Sequence, residues 1–262
     1  MKLLSIIGIK GSGKTTTIEN IIKELVARGY KVGSVKNIHA ETFAIDPKPN
    51  TNTNRHKAAG STLVCARGYF ETDILYPSQL PMDKVLDFYE RDGYDWVVLE
   101  GVEAADNIAV PTIVTAHSHK DLEEKWHPMV FALSGRISAE TDEYQGKPAI
   151  NSMTDTKKLV DLIELKVYDR LPNFPEECCM ACGMNCEQLA AAIIAGAKRR
   201  SDCVADQNIE LYCNGRRIMM VPFVQRLLKN ALLGVVSELE GYEKGCQIEV
   251  RLTDNLLQIK EK

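Results

Sequence analysis

The stretch GIKGSGKTT, residues 8–16, contains the residue types and the spacing needed to hold a phosphate group. Gly8, Gly13, Lys14 and Thr15 fit the pattern Gly-x4-Gly-Lys-Ser/Thr of a phosphate loop. In this pattern, glycines let backbone N–H groups converge on phosphate oxygens, the lysine reaches the β- and γ-phosphates, and the hydroxyl ligates Mg²⁺. The residues predicted to bind nucleotide phosphates are Gly8, Gly11, Ser12, Gly13, Lys14, Thr15 and Thr16.

A carboxylate is expected near the loop, because an acid from a neighbouring strand helps the loop hydroxyl to hold Mg²⁺. The run WVVL at residues 96–99 predicts a buried strand. Glu100 follows at its carboxyl end, where ligands gather in parallel sheets. We predict that Thr15 and Glu100 serve the metal ion, and that Lys14 and Glu100 carry any catalysis. The alternative for Glu100 is an ordinary carboxylate at the end of a strand.

The hydrophobic pattern predicts the elements that position these residues. Residues 3–9 form a continuous apolar run, typical of a strand buried on both faces. Residues 15–28 carry apolar side chains at helical spacing, and residues 31–36 predict a second strand. Strand, helix and strand form a βαβ unit, which implies a parallel sheet. The predicted fold class is therefore α/β, a P-loop NTPase domain with a mostly parallel sheet.

A long polar segment, residues 37–61, follows the second predicted strand and is interpreted as a loop. Loops of this length are usually functional or disordered. Arg55 and His56 could approach a bound anion and Asp46 could serve the metal ion, although for each of them a solvated residue is the alternative.

Two further features are weaker. His117 and His119 are spaced to share one face of a strand, but without a third ligand no metal site is expected there. Cys65, in STLVCARG, is expected to fill space in the core.

The stretches GIKGSGKTT, RGYKVGSVKNIH, RHKAAGS, VVLEG and TDTKKLVDLIELKV, in this order, resemble the MobB family of P-loop adapters in molybdopterin-guanine dinucleotide biosynthesis. The resemblance covers about residues 1–171. It implies a dimeric α/β domain that binds Mg·GTP, hydrolyses it weakly and assists the enzyme that attaches GMP to molybdopterin. The sequence has no Asn-Lys-x-Asp motif, so guanine is implied by the resemblance alone.

The cysteines are concentrated in the last third of the chain. Cys179, Cys182, Cys186 and Cys203 have the spacing Cys-x2-Cys-x3-Cys-x16-Cys, and four thiolates suit an iron–sulfur cluster or tetrahedral zinc. Three cysteines in one loop followed by an alanine-rich helix favour iron–sulfur, because a zinc ribbon more often has two separated Cys-x2-Cys pairs. Disulfides are the third option, disfavoured in a reducing compartment.

The stretch LPNFPEECCMACGMNCEQLAAAIIAGAKRRSDC resembles the four-cysteine domain of corrinoid iron–sulfur proteins. Its leading Leu-Pro, its Cys-x2-Cys-Gly core and its alanine-rich helix carry the likeness. The resemblance implies a [4Fe–4S] cluster, with zinc less favoured, and it leaves open whether Cys178 replaces Cys179.

The remaining residues predict a small ββαβ tail. Two strand-like runs flank Asn214-Gly215, Pro222 begins a helix, and residues 247–252 form a last strand. The predicted domains are a P-loop domain at residues 1–170, an iron–sulfur module at 171–206 and a C-terminal α+β domain at 207–262.

Charge and hydropathy exclude several classes of function. The net charge is −4 and the pI about 5.8, which leaves no electrostatic footprint for nucleic acid or an anionic membrane. No apolar run approaches the roughly 18 residues of a spanning helix, and no cleavage site follows the apolar start. We therefore expect a cytoplasmic protein that binds neither nucleic acid nor membrane.

These features favour a GTP-binding adapter of low GTPase turnover in molybdenum or tungsten cofactor maturation, with a fused iron–sulfur module. Its expected partners are a second copy of the chain and either the guanylyl-transferring enzyme or a target molybdo- or tungsto-enzyme. The alternative is an NTP-dependent redox metallochaperone that donates electrons to a partner metalloenzyme. A third possibility is an adapter with negligible turnover whose cluster is structural.

Overall fold

The structure is a computed structural model. It describes residues 1–38, 44, 48, 50–102, 109–173, 179–205, 209, 211–213, 216–218, 220–246 and 248–250. The chain forms two compact units, residues 1–203 and residues 204–262.

The first unit contains the five strands of a central sheet and two separate hairpins. They are β1 (Lys2–Gly8), β2 (Val32–Lys36), β3 (Val64–Arg67), β4 (Thr72–Leu75), β5 (Trp96–Glu100), β6 (Thr112–Thr115), β7 (Val130–Ser134), β8 (Glu143–Tyr144) and β9 (Lys147–Pro148). Its helices are α1 (Lys14–Ala27), α2 (Asn52–Ala58), α3 (Met82–Arg91), α4 (His119–Lys125), α5 (Thr156–Lys166) and α6 (Cys186–Ile194).

A five-stranded parallel sheet forms the centre of the first unit, in the order β2-β5-β1-β6-β7. β1 is the middle strand and is buried along its length except at its two ends. Because all five strands run the same way, their carboxyl ends share one edge of the sheet, where ligands bind in such folds. The predicted α/β fold with a parallel sheet is confirmed.

Apolar side chains cover both faces of this sheet. On one face, α1 and α5 pack Ile21, Leu25 and Ile163 against the strands. On the other face, Leu86 of α3 and Leu122 of α4 are fully buried against strand residues. Burying one such side chain stabilises a fold by about 1.5–3 kcal/mol. The packed helices therefore hold the carboxyl ends of the strands in fixed positions.

Ion pairs and hydrogen bonds join α1 to α5 at the rim of this core. Arg28, just beyond α1, pairs with Asp161 and Glu164 of α5 at 2.8 and 2.5 Å. The Tyr30 hydroxyl also donates to Glu164, at 2.9 Å. The helix that begins at the phosphate loop is therefore anchored at its far end as well.

The segment predicted as one loop, residues 37–61, contains a helix. α2 begins after Thr51, whose hydroxyl accepts the N–H of Asn54 as an N-terminal cap. The prediction missed α2 because its seven residues include no buried side chain, so no hydrophobic period marks it.

The cysteine segment packs within the first unit. α6 starts with a capping box between Asn185 and Gln188 and buries Leu189 against Leu171 and Met129. The predicted boundary between residues 170 and 171 therefore lies inside one compact unit. A separate iron–sulfur module at residues 171–206 stays a prediction, and it concerns function and not the division of the fold into units.

The second unit contains β10 (Leu211–Cys213), β11 (Arg216–Ile218) and α7 (Pro222–Val236). β10 and β11 form the predicted antiparallel pair, with Cys213 opposite Arg216, while the Asn214-Gly215 turn lies outside the described residues. Of the predicted last strand, the described residues 248–250 are not in a strand. Across the described ranges of both units, no helix has the length and apolar character needed to cross a membrane.

Candidate functional site

The P-loop, residues 8–15, connects the middle strand β1 to the first turn of α1. Ser12 is fully buried, and its hydroxyl donates to the carbonyl of Ile9 at 2.8 Å. The same hydroxyl lies 2.7 Å from that of Thr115, at the end of β6. Ser12 therefore ties the loop to itself and to the end of β6.

Lys14, Thr15 and Glu100 lie together at the start of α1. The Lys14 ammonium donates to the carbonyls of Gly8, at 2.8 Å, and Ile9, so it curls back over the loop. The Thr15 hydroxyl donates to Glu100 Oε1 at 3.4 Å, and the Lys36 ammonium lies 3.3 Å from the same oxygen. An ammonium, a hydroxyl and a carboxylate thus converge as a Mg·triphosphate requires.

A cavity of about 740 Å³ lies over the P-loop, a size within the usual range for small-molecule sites. Lys36 and Glu100 line it on one side, and Arg136 lines it on the other. Six of the seven predicted phosphate-binding residues contribute to its lining, whereas the Ser12 side chain is buried beneath the loop.

Two glycines allow the P-loop and its neighbouring strands to approach closely. Gly8 has φ +147°, and a Cβ there would lie 2.0 Å from the carbonyl oxygen of Thr115. Gly135 has φ +70°, and its Cβ would lie 2.3 Å from the carbonyl oxygen of Ser12. The next residue, Arg136, donates its N–H to that Ser12 oxygen at 3.0 Å. The end of β7 therefore supports the P-loop through its backbone.

Other predicted residues lie elsewhere or outside the described residues. Arg55 and His56 are on α2, and neither is among the described residues that line the cavity. Asp46 lies outside the described residues, so its predicted metal role stays untested.

The interpretation of His117 and His119 as two residues of one strand is wrong, because β6 ends at Thr115 and His119 begins α4. The N–H of His117 donates to the Asp121 carboxylate at 2.9 Å, and this bond lowers the pKa of Asp121. Cys65 is exposed on β3 rather than packed in the core, so that prediction is also wrong. β3 pairs with β4 alone, outside the central sheet, and its alternate side chains face solvent.

Arg136 and the turn at residues 151–153 line the cavity, and neither was predicted from the sequence. A signal for Arg136 exists in the sequence. It lies two residues beyond the apolar run of β7, near the edge of the sheet where ligands bind in such folds. No comparable sequence pattern marks the turn at residues 151–153. It lies between β9 and α5, and the tertiary fold places it at the cavity.

The family model described as "Molybdopterin guanine dinucleotide synthesis protein B", MobB, matches residues 3–134. This match covers half of the chain and includes the P-loop, Glu100 and all five strands of the central sheet. The chain belongs to the MobB family.

Relatives and solved structures extend this match. A protein of Methanocaldococcus jannaschii named as a molybdopterin-guanine dinucleotide biosynthesis adapter is 25% identical over 96% of this chain and 97% of its own. A Bacillus subtilis protein with the same naming is 25% identical over 62% of this chain and 90% of its own. The crystal structure of Bacillus subtilis MobB has the same fold, with a TM-score of 0.51 and 21% identity over 65% of this chain and all of its own. The segment beyond the MobB match therefore has a counterpart in the archaeal relative.

The four cysteines predicted to hold a cluster are all partly buried, and none of the seven described cysteines is in a disulfide. Cys182, Cys186 and Cys203 pack against the same apolar cluster around Leu189. Cys178 lies outside the described residues. Among the side chains that the structure places, no three His, Cys, Asp or Glu residues are close enough to hold a metal ion. Four thiolates thus suit an iron–sulfur cluster chemically, but in the described residues their sulfur atoms are too far apart to bind one.

Tyr168 adds a polar group at the edge of this cysteine segment. Its hydroxyl is buried and has no hydrogen-bond partner in the described part of the chain. Burial raises the pKa of Tyr168 well above its usual value, with Arg200 opposing the shift and Cys186 adding to it. A buried hydroxyl without a partner costs about 1–3 kcal/mol.

Proposed function

We propose that this MobB-family protein is a nucleotide-binding adapter in molybdopterin-guanine dinucleotide biosynthesis, and that it binds Mg·GTP in the P-loop cavity. The convergence of Lys14, Thr15 and Glu100 at the start of α1 is the observation that carries this proposal. The family match and the two named relatives support the pathway.

Each of these side chains has a distinct role in the proposal. Lys14 would leave the carbonyls of Gly8 and Ile9 and neutralise charge on the β- and γ-phosphates. Thr15 would ligate Mg²⁺ directly, and Glu100 would hold the ion or one of its waters. Bound Mg²⁺ would neutralise negative charge on the β- and γ-phosphate oxygens. Lys36 would hold the Glu100 carboxylate in place through their 3.3 Å contact.

The composition of the cavity supports slow hydrolysis as part of this proposal. Among its described lining residues, Glu100 is the sole carboxylate, and in this proposal it is occupied with the metal ion. No second acid or histidine among those residues is placed to activate a water. We therefore propose weak GTPase turnover, with the nucleotide acting mainly as a bound ligand that a partner enzyme recognises.

We further propose that the partner is the enzyme that attaches GMP to molybdopterin, or else a target molybdo- or tungsto-enzyme, and that the adapter acts as a homodimer in the cytoplasm. The β3–β4 hairpin offers an apolar surface for self-association, since Tyr69 and Phe70 at its tip are fully exposed.

The cysteine segment supports an additional proposal. Cys179, Cys182, Cys186 and Cys203 would bind a [4Fe–4S] cluster, with zinc as the less favoured occupant. Binding would require the four sulfur atoms to move closer together. A second candidate function, an NTP-dependent redox metallochaperone, is favoured by the packing of this segment into the same unit as the P-loop.

Calorimetric titration with Mg·GTP tests the nucleotide proposal. The wild-type chain should bind Mg·GTP, and Lys14→Ala should weaken binding by at least about 100-fold, because charge-assisted contacts to two phosphates are lost. Lys23→Ala is the matched control, since Lys23 is exposed on the same helix and away from the cavity lining. Equal binding by both variants, or no binding by the wild-type chain, would remove the proposal.

A further inference from the structure

The cavity has two ends, which lie on opposite sides of the middle strand. Lys36 and Glu100 come from the ends of β2 and β5, on one side of β1. Arg136 follows β7, on the other side of β1. The 151–153 turn lies on that side as well, since Ile150 donates its N–H to the carbonyl of Leu133 in β7 at 2.9 Å.

The positions of Thr15 and Glu100 orient a nucleotide within this cavity. These two residues are in contact and, in the proposed function, would hold the Mg²⁺ that accompanies the β- and γ-phosphates. The γ-phosphate end therefore lies on the β5 side. A nucleoside attached at the other end of the phosphates extends toward Arg136 and the 151–153 turn.

Hydrogen bonds to helix α1 hold the 151–153 turn in place. The Ser152 carbonyl accepts a bond from the Asn20 amide at 3.0 Å, and the Ser152 hydroxyl donates to that of Thr17 at 3.2 Å. Ser152 itself is 2% exposed. Because α1 begins at the P-loop, these bonds fix the turn relative to the phosphate site.

The two residues that flank Ser152 present complementary chemistry to the cavity. Met153 is 75% exposed and offers an apolar, polarisable side chain that suits the face of an aromatic ring. The Asn151 Oδ1 accepts the N–H of Met153 at 2.9 Å, which leaves the Asn151 NH₂ group as a donor. Arg136 carries donors and no acceptor.

We propose that Arg136, Asn151 and Met153 form the nucleobase end of the site and select guanine through hydrogen-bond donors alone. This inference rests on the proposed binding of a nucleotide at the P-loop. Met153 covers a face of the base, while Arg136 and Asn151 donate to its O6 and N7 acceptors. Guanine presents this acceptor pair to arginine, whereas adenine has an amino donor in place of O6.

A site that offers only hydrogen-bond donors makes no hydrogen bond to the 2-amino group of guanine. The 2-amino group of guanine is itself a donor and needs an acceptor such as a carboxylate. Among the described residues that line the cavity, the sole carboxylate is Glu100, at the opposite end. Hypoxanthine, which has O6 and N7 but no 2-amino group, should therefore satisfy this site as well as guanine does.

Titration of the full chain with four Mg²⁺-loaded probes tests the proposal: GTP, ITP, ATP and tripolyphosphate. We expect GTP and ITP to bind with affinities within about threefold of each other, and ATP to bind about tenfold more weakly, a difference of one hydrogen bond. Arg136→Ala and Asn151→Ala should each weaken GTP binding about tenfold and leave tripolyphosphate binding unchanged. Arg67→Ala, on an exposed strand outside the cavity lining, is the control for the loss of an arginine.

Three outcomes would overturn this assignment. Binding of GTP ten times tighter than ITP would mean that an acceptor reads the 2-amino group. Unchanged GTP affinity in both variants would place the base elsewhere. An equal loss of GTP and tripolyphosphate binding would assign these residues to the phosphates. In all three, tripolyphosphate binding by the wild-type chain and its loss in Lys14→Ala would still support the P-loop proposal, so failure of the two proposals can be distinguished.

Discussion

Gly135 supports the P-loop from the end of β7, and its lack of a side chain makes that contact possible. Replacing it with alanine would place a Cβ 2.3 Å from the Ser12 carbonyl oxygen, closer than any real contact. The loop would have to shift, and its amides would no longer converge on the phosphates. We predict that Gly135→Ala weakens Mg·GTP binding at least about tenfold, measured by calorimetry, since small displacements at such sites have large effects.

Gly146 provides a matched control for this prediction. Its φ of +71° equals that of Gly135 within a degree, but a Cβ there meets no atom within 4 Å. Both alanine variants therefore place a side chain in the left-handed region, at about 1–2 kcal/mol of backbone strain, and both should melt at lower temperature. Gly146→Ala should bind nucleotide normally. If the two variants bound Mg·GTP equally well, the backbone of β7 would have no role in shaping the loop.

The residues proposed to bind the phosphates could be predicted from local sequence, whereas those proposed to bind the nucleoside could not. The P-loop pattern lies within nine consecutive residues, and Glu100 follows an apolar run that predicts its strand. Arg136 and Asn151 lie more than a hundred residues from the loop. They reach the cavity because of the order of strands in the sheet, and the hydrophobic pattern does not fix that order.

At the scale of elements, α6 is the link between the cysteines and the fold. It begins at Cys186 and buries Leu189, Ala190 and Ile194, so the alanine-rich helix predicted from sequence is confirmed. Its packing brings Cys182 and Cys203 to the same apolar cluster. Burial in such a cluster would protect a bound iron–sulfur cluster from water, which is one of the factors that set its potential.

We predict that protein purified without oxygen holds roughly four iron and four sulfide per chain, with absorbance near 400 nm that bleaches on reduction. Cys182→Ser, Cys186→Ser and Cys203→Ser should each lose most of this iron and absorbance. Cys65→Ser is the control, because Cys65 is an exposed thiol on β3, far along the chain from this segment.

Zinc near one per chain and no bleaching would exclude the redox module and leave a structural metal site. Iron content that fell equally in the Cys65 variant would indicate iron bound non-specifically to thiols. Either result would also remove the redox metallochaperone as a second candidate function.

The predicted elements were right where burial is strong and wrong where it is weak. β1, β5 and α1 carry continuous or periodic apolar residues, and the structure places them within one or two residues of the predicted bounds. The short β3, which carries the exposed Cys65, lies outside the central sheet. Because few side chains of such a strand are buried, its sequence shows no strong hydrophobic pattern.

At the scale of the whole molecule, the β3–β4 hairpin is the most exposed apolar feature of the first unit. Tyr69 and Phe70 are fully exposed, and Ile74 in β4 is 62% exposed. We predict that the wild-type chain sediments as a dimer, and that the double substitution Tyr69→Ser, Phe70→Ser shifts it toward monomer in sedimentation velocity at micromolar concentration. The substitutions remove apolar surface whose burial between two copies would favour association.

Leu165→Ser is the control for this experiment. Leu165 is 78% exposed on α5, so its replacement removes a comparable exposed apolar side chain from another surface. The hairpin would have no part in self-association if both variants remained dimeric, or if the wild-type chain sedimented as a monomer.

A crystal structure of the chain with Mg²⁺ and a non-hydrolysable GTP analogue tests the central claim most directly. We predict phosphates against the P-loop amides and Lys14, a metal ion held by Thr15 and Glu100, and the base beside Arg136 and Met153. A cavity that stayed empty at saturating ligand, or a nucleotide bound on another surface, would contradict it.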